Sequence, residues 1–188
     1  FYTRTRKTED CTPRITALKD AATSFVDAVA EKAKGTNGKT VNHRVAVVGF
    51  ASGASNLTQG FKNMEVSGDV TAVNNVINNL TADGGTLIDQ GISTANSIFR
   101  ANPIAAGTKR NRVMIVFTDG APGLYGNWCS ASVTTANNAI KNAQTAKKST
   151  SDGGYGATVY TIGVFSGADA SNPGALPAYT EYTEGYFG

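Results

Sequence analysis

The run Val45-Ala46-Val47-Val48-Gly49-Phe50 is apolar without a break, and Val113-Met114-Ile115-Val116-Phe117 repeats the pattern. Each run is short for a helix, and a continuously apolar strand has to be covered on both faces, which implies a parallel sheet. That requirement constrains the fold more than any other feature, because parallel strands need crossover connections that are usually helical.

The connecting segments meet the requirement. Thr12-Pro13 is an N-cap residue followed by proline at the first helical position, and Ile15, Leu18, Ala22, Phe25 and Val29 then recur at helical spacing until Gly35. Leu57 to Met64 reads as a weaker strand or ribbon. Asp69 is expected to cap a helix carrying Val70, Val73, Ile77 and Leu80. A further helix with Ile88, Ile92, Ala95 and Phe99 follows Gly84-Gly85-Thr86, and another with Val133, Ala136, Ile140 and Ala143 precedes a last strand, Val159–Phe165. Alternating strands and helices give an α/β, doubly wound, mostly parallel sheet with helices on both faces. The expected organisation is one domain over residues 1–188, with a loop or arm at 1–12, a core at 13–165 and a loop at 166–188.

Composition narrows the function classes. Charged residues make up 16% of the 188, a low share whose gap is filled by Thr, Asn, Ser and Gly, as on proteins outside cells. The net charge of +3 is mild and the basic residues are scattered except for Arg4, Arg6, Lys7 and Arg14, so no nucleic-acid partner is expected. No apolar run is long enough to span a membrane, so no direct insertion is expected. Cys11 and Cys129 match no zinc, haem or thioredoxin spacing.

The strand from Arg112 ends in Thr118-Asp119-Gly120, and the preceding helix is introduced by Asp83-Gly84-Gly85-Thr86. Doubly wound sheets hold ligands outside the carboxyl ends of their strands, where the Asp119 carboxylate can meet the Thr86 hydroxyl. Two such oxygens point to a hard metal ion. The plainer readings are that Asp119 caps its own loop and that Gly84-Gly85 only permits a tight turn. His43 has no nucleophile motif beside it and reads as a solvated residue at a strand end, so no catalytic triad is expected. Gly153-Gly154-Tyr155-Gly156 precedes a strand instead of following one, which makes it a flexible connector and not a phosphate loop. Asn56-Leu57-Thr58 and Asn79-Leu80-Thr81 fit glycosylation acceptors by chance in an Asn- and Thr-rich chain.

Arg14-Ile15-Thr16-Ala17-Leu18-Lys19, Val45–Phe50, Gly84-Gly85-Thr86, Thr118-Asp119-Gly120 and Gly156–Val164 together resemble a von Willebrand factor A domain, and most closely those of Gram-positive pilus-tip and cell-surface adhesins. The resemblance implies a Rossmann-like fold and a magnesium or manganese ion at a metal-ion-dependent adhesion site, with Thr86 and Asp119 as ligands. Nothing before the first helix supplies the central strand or the Asp-x-Ser-x-Ser loop of the family. The chain therefore reads as part of a longer polypeptide and as an incomplete fold.

Adjacent strands in that fold feed the loops carrying the two cysteines, so the resemblance also implies a Cys11–Cys129 disulfide beside the metal. The loop Gly120–Cys129 offers Tyr125 and Trp128 for partner contact, with Trp128 packed inward to anchor the loop as the alternative. The resemblance implies carboxylate capture from an extracellular-matrix or host-surface protein of the collagen, fibronectin or laminin type at a bacterial pilus tip or cell wall, with other pilus subunits as further partners. A structural pilus or wall module with a vestigial site is one alternative. A magnesium-dependent phosphoryl-transfer enzyme is another, although Thr118-Asp119-Gly120-Ala121 lacks the second aspartate two positions on.

Overall fold

The computed structural model describes residues 14–35, 39–118 and 132–163. They form two compact units, one built from residues up to Val45 with Lys62–Thr81, the other from Ala46–Phe61 with residues from Ala82 onward.

In the first unit α1 spans Arg14–Ala33, and Gly35 follows it with φ 66°, a left-handed conformation that favours glycine. A Cβ on Gly35 would lie 1.8 Å from the Lys39 carbonyl oxygen, so the chain can reverse there only with glycine. The buried residues of α1 are Val26 and Ala33, whereas Phe25 of the expected apolar stripe is 48% exposed. The helix meets α2 (Ser67–Asn78) along the side that carries Val26, where the Lys19 ammonium donates to the Asn78 carbonyl at 2.8 Å and the Asn74 amide to Asp27 Oδ1 at 2.8 Å. Asp69 does not cap α2: the cap position belongs to Val66, which makes no side-chain cap bond. The Asp69 carboxylate accepts the Asn63 N–H at 2.8 Å and so ties the first turn of α2 to the strand before it.

The run Val45–Phe50 is not one strand. It divides into β1 (Arg44–Val45), which pairs antiparallel with β4 (Lys62–Asn63), and β2 (Val48–Phe50), which pairs antiparallel with β3 (Ala54–Asn56). The break falls at Ala46–Val47, where the Val47 N–H is taken by the Thr58 hydroxyl at 3.0 Å instead of by a neighbouring strand. The ribbon expected over Leu57–Met64 is reduced to β4, because Leu57–Gly60 is a turn in which Gly60 N–H reaches Asn56 Oδ1 and Thr58 Oγ1 donates to the Gly60 carbonyl.

The second unit continues with α3 (Ile88–Ala101), β5 (Arg112–Thr118), α4 (Val133–Lys147) and β6 (Ala157–Gly163). The strands β5 and β6 are parallel, in register from Arg112↔Ala157 to Thr118↔Gly163, with α4 as the crossover. Ile88, Ile92 and Phe99 of α3, Met114 and Val116 of β5, Ala139 and Ala146 of α4 and Ala157 of β6 make one core cluster. Alternation along the strands turns Val113, Ile115, Tyr160 and Ile162 the other way, and these are exposed. The glycine connector before β6 is a hydrogen-bonded turn, with Gly154 N–H on the Ser149 carbonyl and Gly156 N–H on the Lys148 carbonyl.

At the start of β5, Arg112 is buried. Its guanidinium donates to the carbonyls of Phe99 (3.3 Å), Asn102 (2.5 Å) and Tyr155 (3.2 Å) and lies 5.2 Å from the Phe99 ring centroid. Burial lowers its pKa from the ordinary value. One side chain thus joins the end of α3, the start of β5 and the turn before β6. Helices combined with a parallel strand pair and antiparallel strands make this an α/β fold. No helix among the described residues is long and apolar enough to cross a membrane.

Candidate functional site

The loop in front of α3 is shaped by the tip of the β2–β3 hairpin. The Ala51 N–H closes that tip on the Gly53 carbonyl at 2.8 Å. The tip in turn takes two backbone donors from the loop: Gly85 N–H binds Ser52 Oγ at 2.9 Å, and Leu87 N–H binds the Ala51 carbonyl at 2.9 Å. These are the residues on either side of Thr86. Gly84 has φ 83°, and a Cβ there would lie 2.6 Å from Ser52 Oγ, so both the backbone conformation and the approach of the serine require glycine.

Thr86 is half-buried, and the chain enters the core directly behind it with Leu87 at 8% and Ile88 at 2% exposure. Leu87 is the N-cap residue of α3 and caps through no side chain. Its carbonyl instead receives the N–H groups of Gln90 and Gly91. Gly91 packs flat on β2: a Cβ there would stand 2.8 Å from Phe50 Cδ1. Aromatic packing and two hydrogen bonds therefore fix the Thr86 loop on the hairpin.

Asp89, in the first turn of α3, has a buried Oδ1 with no hydrogen-bond partner among the described residues. Its carbonyl accepts the Asn142 side-chain amide at 2.9 Å, and the Asn96 amide donates to the Asn142 carbonyl at 2.9 Å, so α3 and α4 are joined by a polar seam. Ser132 caps α4 by accepting the Thr135 N–H at 3.2 Å.

Of the residues singled out in the sequence, Thr86 is placed in this loop, and Thr118 is the buried last residue of β5, immediately before Asp119. Asp119, Tyr125, Trp128, Cys11 and Cys129 lie outside the described residues. His43 is half-buried just before β1, where its carbonyl accepts the Met64 N–H. Among the described residues no three His, Cys, Asp or Glu side chains gather as a metal cluster. Thr86 and Asp119, the two residues singled out as ligands, are a hydroxyl and a carboxylate donor. Hydroxyl and carboxylate oxygens are the donors magnesium and manganese take, so these residue types fit.

Sequence reading missed Ser52 and Ala51, which sit in a stretch with no motif. The available signal was the small-residue turn Ala51-Ser52-Gly53 directly after an apolar run.

Comparison with known proteins gives one match: the family model for the von Willebrand factor type A domain fits residues 5–121, more than half of the chain. That span takes in the hairpin, the Thr86 loop and Thr118-Asp119-Gly120. No curated protein and no solved structure matches the chain.

Proposed function

The chain belongs to the von Willebrand factor type A domain family, whose members generally mediate protein–protein interactions, and on that premise we propose an adhesion module that binds an acidic side chain of an extracellular partner through a divalent metal. The observation that carries the reading is the Thr86 loop itself. Half-buried Thr86 is flanked by backbone N–H groups bonded to the hairpin tip, within a span that matches the family.

In this reading Thr86 and Asp119 hold magnesium or manganese, which when bound supplies an open coordination position for a carboxylate. The two bonds that hold the backbone on either side of Thr86 reduce the ordering that binding has to overcome. The role is capture and not catalysis. The partners proposed are matrix or host-surface proteins of the collagen, fibronectin or laminin type, met at a bacterial cell surface or pilus tip. Tyr125 and Trp128 are proposed as contacts around the metal, and a Cys11–Cys129 disulfide as the tie between the loops that frame it. Because the family match runs through segments of both compact units, they are read as parts of one domain.

Calorimetry with magnesium and manganese on the full-length protein tests the central point. Binding by the wild type that is lost in Asp119→Ala, with the melting temperature kept, is the expected result. Absence of binding in the wild type would leave a structural module with a vestigial site, and phosphatase activity that vanished in Asp119→Ala would point to phosphoryl transfer instead. Mass spectrometry without reductant checks the disulfide, which two free thiols would rule out.

A further inference from the structure

Ser52 is exposed at the tip of the β2–β3 hairpin and belongs to no motif. Exposed polar residues on hairpin tips are ordinarily free of long-range structural duty. This one is not, since its Oγ accepts the N–H of Gly85, 33 residues along the chain, at 2.9 Å. The neighbouring bond, Leu87 N–H to the Ala51 carbonyl at 2.9 Å, is backbone to backbone and would survive any side-chain change. Among the described residues, Ser52 is therefore the side chain that holds the residue before Thr86, and without it the loop keeps the bond on its other flank.

Geometry adds a second constraint. The loop passes so close to the serine that a Cβ on Gly84 would fall 2.6 Å from Ser52 Oγ and 3.4 Å from its backbone nitrogen. Gly84 at φ 83° and Ser52 thus form a matched pair: one permits the approach and the other closes it with a hydrogen bond.

We propose that Ser52 is a positioning residue that sets the Thr86 hydroxyl for a divalent cation coordinated by oxygen. The inference rests on the adhesion-site reading above and deepens it by naming a residue outside the ligand set. Groups that orient metal ligands from behind commonly change metal affinity by one or two orders of magnitude when removed.

The test compares wild type, Ser52→Ala and Ser52→Thr in the full-length protein. Manganese affinity is read from the electron paramagnetic resonance signal of the free ion, and Gly85 amide exchange is read without metal. Ser52→Ala is expected to bind manganese about tenfold more weakly. It should also exchange the Gly85 amide faster in metal-free protein, while its melting temperature falls by no more than about 4 °C. Ser52→Thr keeps the hydroxyl and should restore both readouts. Wild-type affinity in Ser52→Ala, or a Ser52→Thr as weak as Ser52→Ala, overturns the role of Ser52 and leaves the adhesion-site reading standing. A wild type that binds no manganese overturns both.

Discussion

At its C-terminal end α3 is tied down by a buried cation, whereas at its N-terminal end it is steered by the hairpin tip, through one bond at an exposed side chain and one at the edge of the core. Arg112 gathers the carbonyls of Phe99, Asn102 and Tyr155 and lies over the Phe99 ring, with Phe61 and Tyr155 packed on the same aromatic. The other end rests on Ser52, the Ala51 carbonyl and the contact of Phe50 with Gly91. Buried donors cost most when removed, because their acceptors are left without water, while exposed ones are partly replaced by solvent. One helix thus carries an anchor for the fold at one end and a mounting for the candidate site at the other.

The largest effect expected from this contrast is at the anchor. Arg112→Met strands buried carbonyls and should lower unfolding free energy by about 3 kcal/mol in urea titration. Manganese affinity of the folded protein should stay within about twofold of wild type. A loss below about 1 kcal/mol would mean that Arg112 is not the anchor. Next, Gly91→Ala drives a methyl into Phe50 and should cost about 2 kcal/mol, with metal binding weakened because the hairpin tip is displaced. Stability and affinity falling together would show that the mounting reaches into the core.

Gly84→Ala should cost about 1–2 kcal/mol through its left-handed backbone, while affinity falls further than stability does. If the two losses matched, the loop would be part of the fold and not of a site. The smallest effect is expected from Asp89→Asn, which removes a negative charge from the first turn of α3 and should lower stability by about 0.5 kcal/mol, less in high salt. Loss of manganese binding in that variant would enlist the buried Asp89 oxygen as part of the site.

What could be read in the sequence follows from the range of the interactions. Helices α3 and α4 and strand β5 lie where periodicity and punctuation place them, since those signals are local. The Val45–Phe50 run misled because continuous apolarity measures burial and not strand direction, and a hydroxyl eleven residues away, that of Thr58, ends the ladder at Val47. Asp69 has the right residue type for a cap, but a free N–H on Asn63 competes for its carboxylate. The left-handed turn at Gly84 was legible from the glycine pair. Ser52 was not, since its significance exists only in a contact that spans half the distance to β5. Arg112 reads as an ordinary polar residue opening a strand, and only the fold reveals its three carbonyl partners.

The Arg112 cluster also bears on how the chain finds this fold. A parallel pair such as β5–β6 receives no guidance from a tight turn, and a slip of one residue would exchange its buried and outward side chains. Val113 and Ile115 are as apolar as Met114 and Val116, so hydrophobicity discriminates poorly between the two registers. The bond from Arg112 to the Tyr155 carbonyl, 43 residues away and just before the start of β6, joins the two strand beginnings in the alignment observed. Arg112 thus ties the first residue of β5 to the turn before β6 in the observed register.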